Sequence, residues 1–251
     1  MKDNNVLLEV KNLKVSFYLT EATVQAVDGV NLTIHAGKTL GIVGESGCGK
    51  SVTARAILGM IRRPGKITEG EIIYYDRSGR SVNLATLPPD GAEIHHIRWG
   101  EIAMIFQEPM TSLSPVHTIG NQMIEAVRLH KDLSKSAAEA VSVDLMKRVG
   151  LPTPERLLKQ YRHELSGGMR QRVMIAMALT CGPRLLIADE PTTALDVTTQ
   201  AQILDLMRDL QAEYQMAIMF ITHNLGVIAE MADDVIVMYL GKEVEVADVD
   251  T

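Results

Sequence analysis

Only two cysteines, Cys48 and Cys181, occur in the 251-residue chain. They are too few for a disulfide framework or a cysteine-built metal centre. No stretch approaches the ~18 consecutive apolar residues of a membrane span; the densest apolar run, residues 173–179, is far too short. Basic excess is missing as well. With a net charge of −6, the chain lacks the Lys and Arg surplus that accompanies sequence-independent binding to phosphate backbones, so nucleic acid is not an expected partner. Met1, Lys2 and Asp3 do not open a secretory leader, so both thiols are expected to be reduced, in the cytosol. Internal repeats, low-complexity tracts and linkers long enough to separate independent domains are also absent. What is there is 46% apolar and 22% charged, the make-up of a globular protein with a full core.

The hydrophobic pattern predicts short strands at 7–10, 15–18 and 30–34, with turns at Asp28-Gly29 and Ala36-Gly37. Residues 39–43 form an apolar run bounded by glycine, a buried strand that leads into a glycine-rich loop and then a helix over 51–61. Residues 62–101 are mixed, with a turn around Asp76, Ser78 and Gly79 and an exposed loop at 87–91. Helical spacing runs from 119 to about 162 and breaks at Gly150-Leu151-Pro152. Beyond 184 strands and helices alternate: strand 185–188, helix 198–214, strand 217–221, helix 225–231, strand 234–240. That is βαβ architecture with a parallel sheet.

Gly44-Glu45-Ser46-Gly47-Cys48-Gly49-Lys50-Ser51 has the pattern G-x-x-x-x-G-K-S between a strand and a helix. Glycines there let successive backbone N–H groups turn toward phosphate oxygens, forming an anion nest. Lys50 can reach the β- and γ-phosphates, the Ser51 hydroxyl can ligate Mg²⁺, and the following helix starts at the phosphates. Cys48 reads in two ways: as a thiol acidified by a helix N-terminus, or as a small residue that a tight loop tolerates. After Arg184, residues 185–188 run apolar into Asp189 and Glu190, the form needed to bring one carboxylate to a Mg²⁺ shell and a second to an attacking water. Ser166, Gly167 and Gly168 precede the apolar run 173–179; Ser166 is a good N-cap, and this is a second helix start suited to an anion.

The last motif, Leu165-Ser166-Gly167-Gly168-Met169-Arg170-Gln171-Arg172, resembles the signature of ATP-binding-cassette (ABC) proteins. The resemblance covers residues 8–241 and extends to further motifs in the same order. Ile105-Phe106-Gln107-Glu108-Pro109 resembles the Q-loop, which implies that Gln107 senses Mg²⁺ and the γ-phosphate. Thr192-Thr193-Ala194-Leu195-Asp196 resembles the D-loop, and Ile221-Thr222-His223-Asn224 the H-loop, which implies that His223 is the γ-phosphate switch. Phe17 aligns with the family's adenine-stacking aromatic, with Tyr18 as its competitor. The stretches from Gln107 to Ser114-Pro115 and from Ser166 to Leu179 are similar to the D-type ATPase subunits of dipeptide, oligopeptide and nickel importers. Met169 stands where most of the wider family has Gln, and the chain ends short of the tail such subunits carry, which in many includes iron–sulfur cysteines.

The resemblance implies an α/β fold: a P-loop NTPase (RecA-like) core with a mainly parallel sheet, an antiparallel β subdomain and an inserted α-helical subdomain. It implies one ABC ATPase domain over 1–251, with the core at 1–109 and 163–251 and the helical part at about 110–162. ATP and Mg²⁺ are the implied ligands. Nucleotide contacts fall on Phe17, Gly44 to Val52, Ser166, Gly167, Gly168 and Asp196; metal contacts on Ser51, Gln107 and Asp189; and catalysis on Glu190, His223, Lys50 and Gln107. The implied partners are an integral-membrane permease, a second ABC ATPase subunit (an F-type partner or a second copy) and, indirectly, an extracytoplasmic substrate-binding protein. The implied place is the cytoplasmic face of the membrane.

Overall fold

The computed structural model describes residues 5–107, 112–193 and 195–249. By contact density the chain divides into two units, Met1–Arg98 with Gln215–Thr251, and Trp99–Tyr214.

In the first unit an antiparallel sheet has the order β2-β1-β4-β5, built from β1 (Val6–Tyr18), β2 (Thr23–His35), β4 (Gly65–Tyr75) and β5 (Ser81–Asn83). The sequence pattern breaks β1 in two and places a turn at Asp28-Gly29; the structure carries both strands through as matched bulges. Asn12 takes φ +48° and Gly29 φ +85°, and the Asn12 N–H donates to Asn31 Oδ1 at 2.8 Å. On the other side Gly70 faces the bulge so closely that a Cβ there would lie 2.5 Å from the Asn12 carbonyl oxygen. An extra residue in one strand is tolerated because its neighbours bend with it. β4, β5 and α2 (Ala92–Gly100) occupy the stretch that hydrophobic spacing leaves unassigned. The turn at Asp76 is present: its carboxylate accepts from the Ser78 N–H and hydroxyl and from the Arg80 N–H. The Ser78 hydroxyl first of all holds the Asp76 carboxyl below the usual carboxylate range.

The same unit holds β3 (Thr39–Gly44), flanked in parallel by β8 (Ala217–Thr222) and β9 (Asp234–Tyr239). An antiparallel β10 (Lys242–Asp248), which periodicity misses, lies beyond β9. Every residue of β8 is buried, as expected for a parallel strand covered on both faces. Phe220 is fully buried in β8. Phe220→Ala should lower unfolding stability by about 3–5 kcal/mol, read as an earlier midpoint in chemical denaturation.

The helix after the loop, α1 (Lys50–Ile57), is shorter than the pattern predicts. Gly59 takes φ +61°, its N–H donates to Ala56 O at 2.9 Å, and the Met60 N–H donates to Arg55 O at 2.8 Å. These bonds form a Schellman stop, which closes the helix's open carbonyls.

The second unit pairs β6 (Ile102–Ile105) in parallel with β7 (Leu185–Asp189). Its helices are α3 (Ile119–His130), α4 (Lys135–Arg148), α5 (Pro154–Leu157), α6 (Gly167–Ala178) and α7 (Val197–Tyr214). Thr118 and Ser134 cap α3 and α4 through their hydroxyls. The expected break after α4 is a second Schellman stop, with Gly150 at φ +69° and bonds from Gly150 N to Lys147 O and from Leu151 N to Met146 O. Val173, Ile175, Leu186, Ile203 and Met207 form part of this unit's buried core. Among the described residues no helix is long and apolar enough to cross a membrane.

Candidate functional site

Two groups of the singled-out residues arise, one in each unit. The first is at the C-terminal edge of the parallel strands, the edge at which open α/β sheets bind ligands. Val43 pairs with Thr222 and Gly44 with Met238, so the glycine-rich loop leaves β3 beside the start of the turn that carries His223. Lys50, the first residue of α1, is only 5% exposed. Its ammonium donates to Gly44 O at 2.7 Å and Glu45 O at 2.9 Å, and lies 3.8 Å from Cys48 Sγ. A cation held in a buried place by carbonyl dipoles retains a strong attraction for an anion.

The loop's shape depends on its surroundings. Gly49 has φ +105°, and a Cβ there would lie 2.5 Å from the Ala26 carbonyl oxygen of β2; Gly44 would likewise drive a Cβ into the Met238 carbonyl. The Gly241 N–H, in the turn between β9 and β10, donates to Cys48 O at 3.0 Å. Neither Ala26 nor Gly241 stands out in the sequence, because both act through backbone atoms. Cys48 is buried, and its sulfur lies 2.7 Å from where a Gly44 Cβ would sit. Glu45, Ser46 and Gly47 are exposed, while Ser51 and Val52 are half-buried in α1.

His223 is exposed and bracketed by engaged neighbours. The Asn224 N–H donates to Thr222 Oγ1 at 3.1 Å, and Asn224 Oδ1 accepts from the Gly226 N–H at 2.9 Å, capping α8 (Leu225–Met231). Phe17 is half-buried and Tyr18 is exposed. Phe17 pairs with Val24 of β2, two residues before the Ala26 carbonyl that faces Gly49, and its ring packs where a Gly65 Cβ would be. This places Phe17 along the strand that supports the loop.

The second group centres on the ends of β6 and β7. Ile105 pairs with Ala188, so Gln107 and Glu190 leave neighbouring parallel strands at the same edge. Gln107 Nε2 donates to Glu190 Oε2 at 3.2 Å, and the Thr193 hydroxyl donates to the same oxygen at 2.8 Å. Asp189 is buried, at 1% exposure. Glu108 and Pro109 of the Q-loop stretch and Ala194 of the D-loop stretch lie outside the described residues.

Ser166 caps α6, its hydroxyl accepting from the Met169 N–H at 3.3 Å. A cleft of about 420 Å³ is lined by Ser166, Gly167, Gly168, Arg172, Asp196 and Thr199, among others. Gly167, Gly168 and Asp196, far apart in the chain, thus line one concavity. Asp196 Oδ2 accepts from the Thr199 hydroxyl at 2.6 Å and Oδ1 from the Thr199 N–H at 2.9 Å. The hydroxyl, then the backbone donors, hold the Asp196 carboxyl below the usual carboxylate range. A Cβ on Gly168 would meet Thr199 Cγ2 at 2.8 Å.

A family model described as ABC transporter matches residues 27–193. The chain belongs to the ABC transporter family. It is 52% identical over 241 residues to the oligopeptide transport ATP-binding protein OppD of Haemophilus influenzae, covering 96% of this chain and 72% of that one. It is 51% identical over 247 residues to the oligopeptide transport ATP-binding protein AppD of Bacillus subtilis, covering 98% and 73%. Among solved structures, a dimeric ATP-binding cassette in a post-hydrolysis state bound to ADP and Pi superposes with a TM-score of 0.83 at 28% identity, covering 97% of this chain and 99% of that one. CbiO1 from Clostridium perfringens, part of an ABC transporter complex, gives 0.76 at 25% identity, covering 98% and 90%.

The fold is therefore that of the P-loop NTPases, and as an ABC ATPase the chain binds and hydrolyses ATP. Among the described residues no group of three or more His, Cys, Asp or Glu side chains is arranged to hold a metal ion. Ser51 in the first unit, and Gln107 and Asp189 in the second, each carry a hard oxygen donor of the kind Mg²⁺ takes. Donors of that kind suit an ion that arrives with a nucleotide and keeps phosphate and water ligands.

Proposed function

We propose that this ABC ATPase energises an importer of di- or oligopeptides or of nickel from the cytoplasmic face of a membrane. It would pair with a second cassette, F-type or identical, on integral-membrane permease subunits fed by an extracytoplasmic binding protein. The observation that carries the proposal is the presence of two anion-seeking helix starts in one chain: the loop around Lys50, and the separate cleft that joins Ser166–Gly168 to Asp196. One nucleotide needs only one such loop. A second is used when each ATP lies between the phosphate loop of one subunit and the signature of the other, so that binding closes the dimer and hydrolysis reopens it. The likeness to two oligopeptide transport ATP-binding proteins supports the peptide cargo.

In this reading Phe17 stacks on adenine, and Gly44, Glu45, Ser46, Gly47, Cys48, Gly49, Lys50, Ser51 and Val52 cradle the phosphates. Lys50 and the backbone donors absorb charge that develops on the γ-phosphate. Ser51, Gln107 and Asp189 hold Mg²⁺, which when bound neutralises charge on the phosphate oxygens. Glu190 orients the attacking water and accepts its proton. His223 holds the γ-phosphate, and Ser166, Gly167, Gly168 and Asp196 serve the nucleotide of the opposing subunit. The core comprises 1–109 and 163–251, and the helical part at about 110–162 meets the permease.

Inverted membrane vesicles carrying the permease, the binding protein and both ATPase subunits provide the test. Movement of a labelled peptide should require hydrolysable ATP and this chain. Transport that continues without the chain, or that ignores peptides and nickel alike, overturns the proposal.

A further inference from the structure

In the reading above Glu190 is the base, and the structure shows what aims it. Glu190 precedes Pro191, whose ring disfavours a right-handed helical backbone in the residue before it, and Glu190 takes φ +47°. A non-glycine residue persists in that region only where its surroundings hold it. Thr193 holds it twice. Its N–H donates to the Glu190 carbonyl at 3.2 Å, closing a turn over Pro191 and Thr192, and its hydroxyl donates to Glu190 Oε2 at 2.8 Å. Gln107 Nε2 reaches the same oxygen at 3.2 Å from the end of the neighbouring strand.

We propose that Thr193 is a positioning residue for ATP hydrolysis: its hydroxyl fixes the plane of the Glu190 carboxylate, and so the line along which the attacking water is held. This rests on Glu190 being the base. Two donors, one from the turn after β7 and one from the segment after β6, converge on one carboxylate oxygen and leave the side chain little rotation, and a base misplaced by an ångström loses much of its effect. Thr193 itself is exposed, so its hydroxyl is not required to fill the core.

Steady-state ATP hydrolysis by the purified chain tests the role. Thr193→Val keeps the backbone N–H and nearly the same shape while removing the hydroxyl; kcat should fall about ten-fold with KM for ATP nearly unchanged. Thr193→Ser should restore most of the rate, and Thr193→Ala, which also lacks the donor, should resemble Val. Thermal unfolding of all three should match the parent. Full kcat in Val and Ala, a loss confined to KM, or a Ser variant as slow as Val overturns the proposal. Glu190→Gln separates the two ideas. If it retains hydrolysis, the base assignment fails and Thr193 loses its role with it; if it abolishes hydrolysis while Thr193→Val is fully active, only the positioning role fails.

Discussion

Glu190→Gln is expected to leave ATP binding within a few-fold of the parent chain and to lower steady-state hydrolysis by about 10²–10⁴. The amide is nearly the same size as the carboxylate and can still accept from the Thr193 hydroxyl through its oxygen, so the turn around Pro191 should survive. What is lost is the charge and the ability to take a proton from water. In the proposed reading nucleotide binding rests instead on Lys50 and the loop, in which the ammonium is already held by Gly44 O and Glu45 O. Titration with a fluorescent ATP analogue, beside a phosphate-release assay, reads both quantities on the same preparation. Undiminished phosphate release would remove Glu190 from the chemistry.

The second large effect separates two glycines of one loop. Gly49→Ala should abolish measurable nucleotide binding, whereas Gly47→Ala should only weaken it. Both residues have positive φ, +105° and +82°, and an L-residue in left-handed backbone costs roughly 1–2 kcal/mol. At Gly47 that cost stands alone, because nothing lies within 4 Å of the added Cβ. At Gly49 the Cβ also meets the Ala26 carbonyl oxygen at 2.5 Å, a main-chain atom between the paired residues Gln25 and Val27 of β2, which cannot swing aside as a side chain can. The loop must then rebuild, and the Lys50 ammonium moves with it. Circular dichroism should show both variants folded; equal nucleotide affinities in the two would refute the account.

Much of the chemistry is legible in residue order. G-x-x-x-x-G-K-S, the acidic end of β7, the capped glycines at Ser166 and the histidine after β8 each combine residue types whose chemistry is local, so spacing alone exposes them. Strands β3, β7 and β8 are legible for a related reason: continuous apolar runs between glycine and polar turns have few other solutions. The helix stop at Gly150 follows from the same local chemistry, since a left-handed C-cap favours glycine. The stop at Gly59 is hidden in the sequence because apolar spacing continues through Met60 and Ile61.

Other features depend on atoms that composition does not reveal. The bulges at Asn12 and Gly29 turn two apparent breaks into continuous strands, because Asn31 and Gly70 face them across the sheet. β10 carries too little apolar contrast to be seen, with Val244 and Val246 exposed, and it exists by pairing with β9. The support of the phosphate loop by Ala26 and Gly241 runs through main-chain carbonyl and N–H groups, which every residue carries and no pattern marks. The contacts of Glu190 with Thr193 and Gln107, and the common cleft of Ser166 and Asp196, arise from strand register and chain reversal. Residue order alone points to a nucleotide and to the side chains expected to carry the charge, because those groups must be of particular chemical types. Only the fold shows that Thr193 and Gln107 meet on Glu190 and that the surroundings of Gly49 differ from those of Gly47, because both depend on distances between backbone and side-chain atoms that only folding brings together.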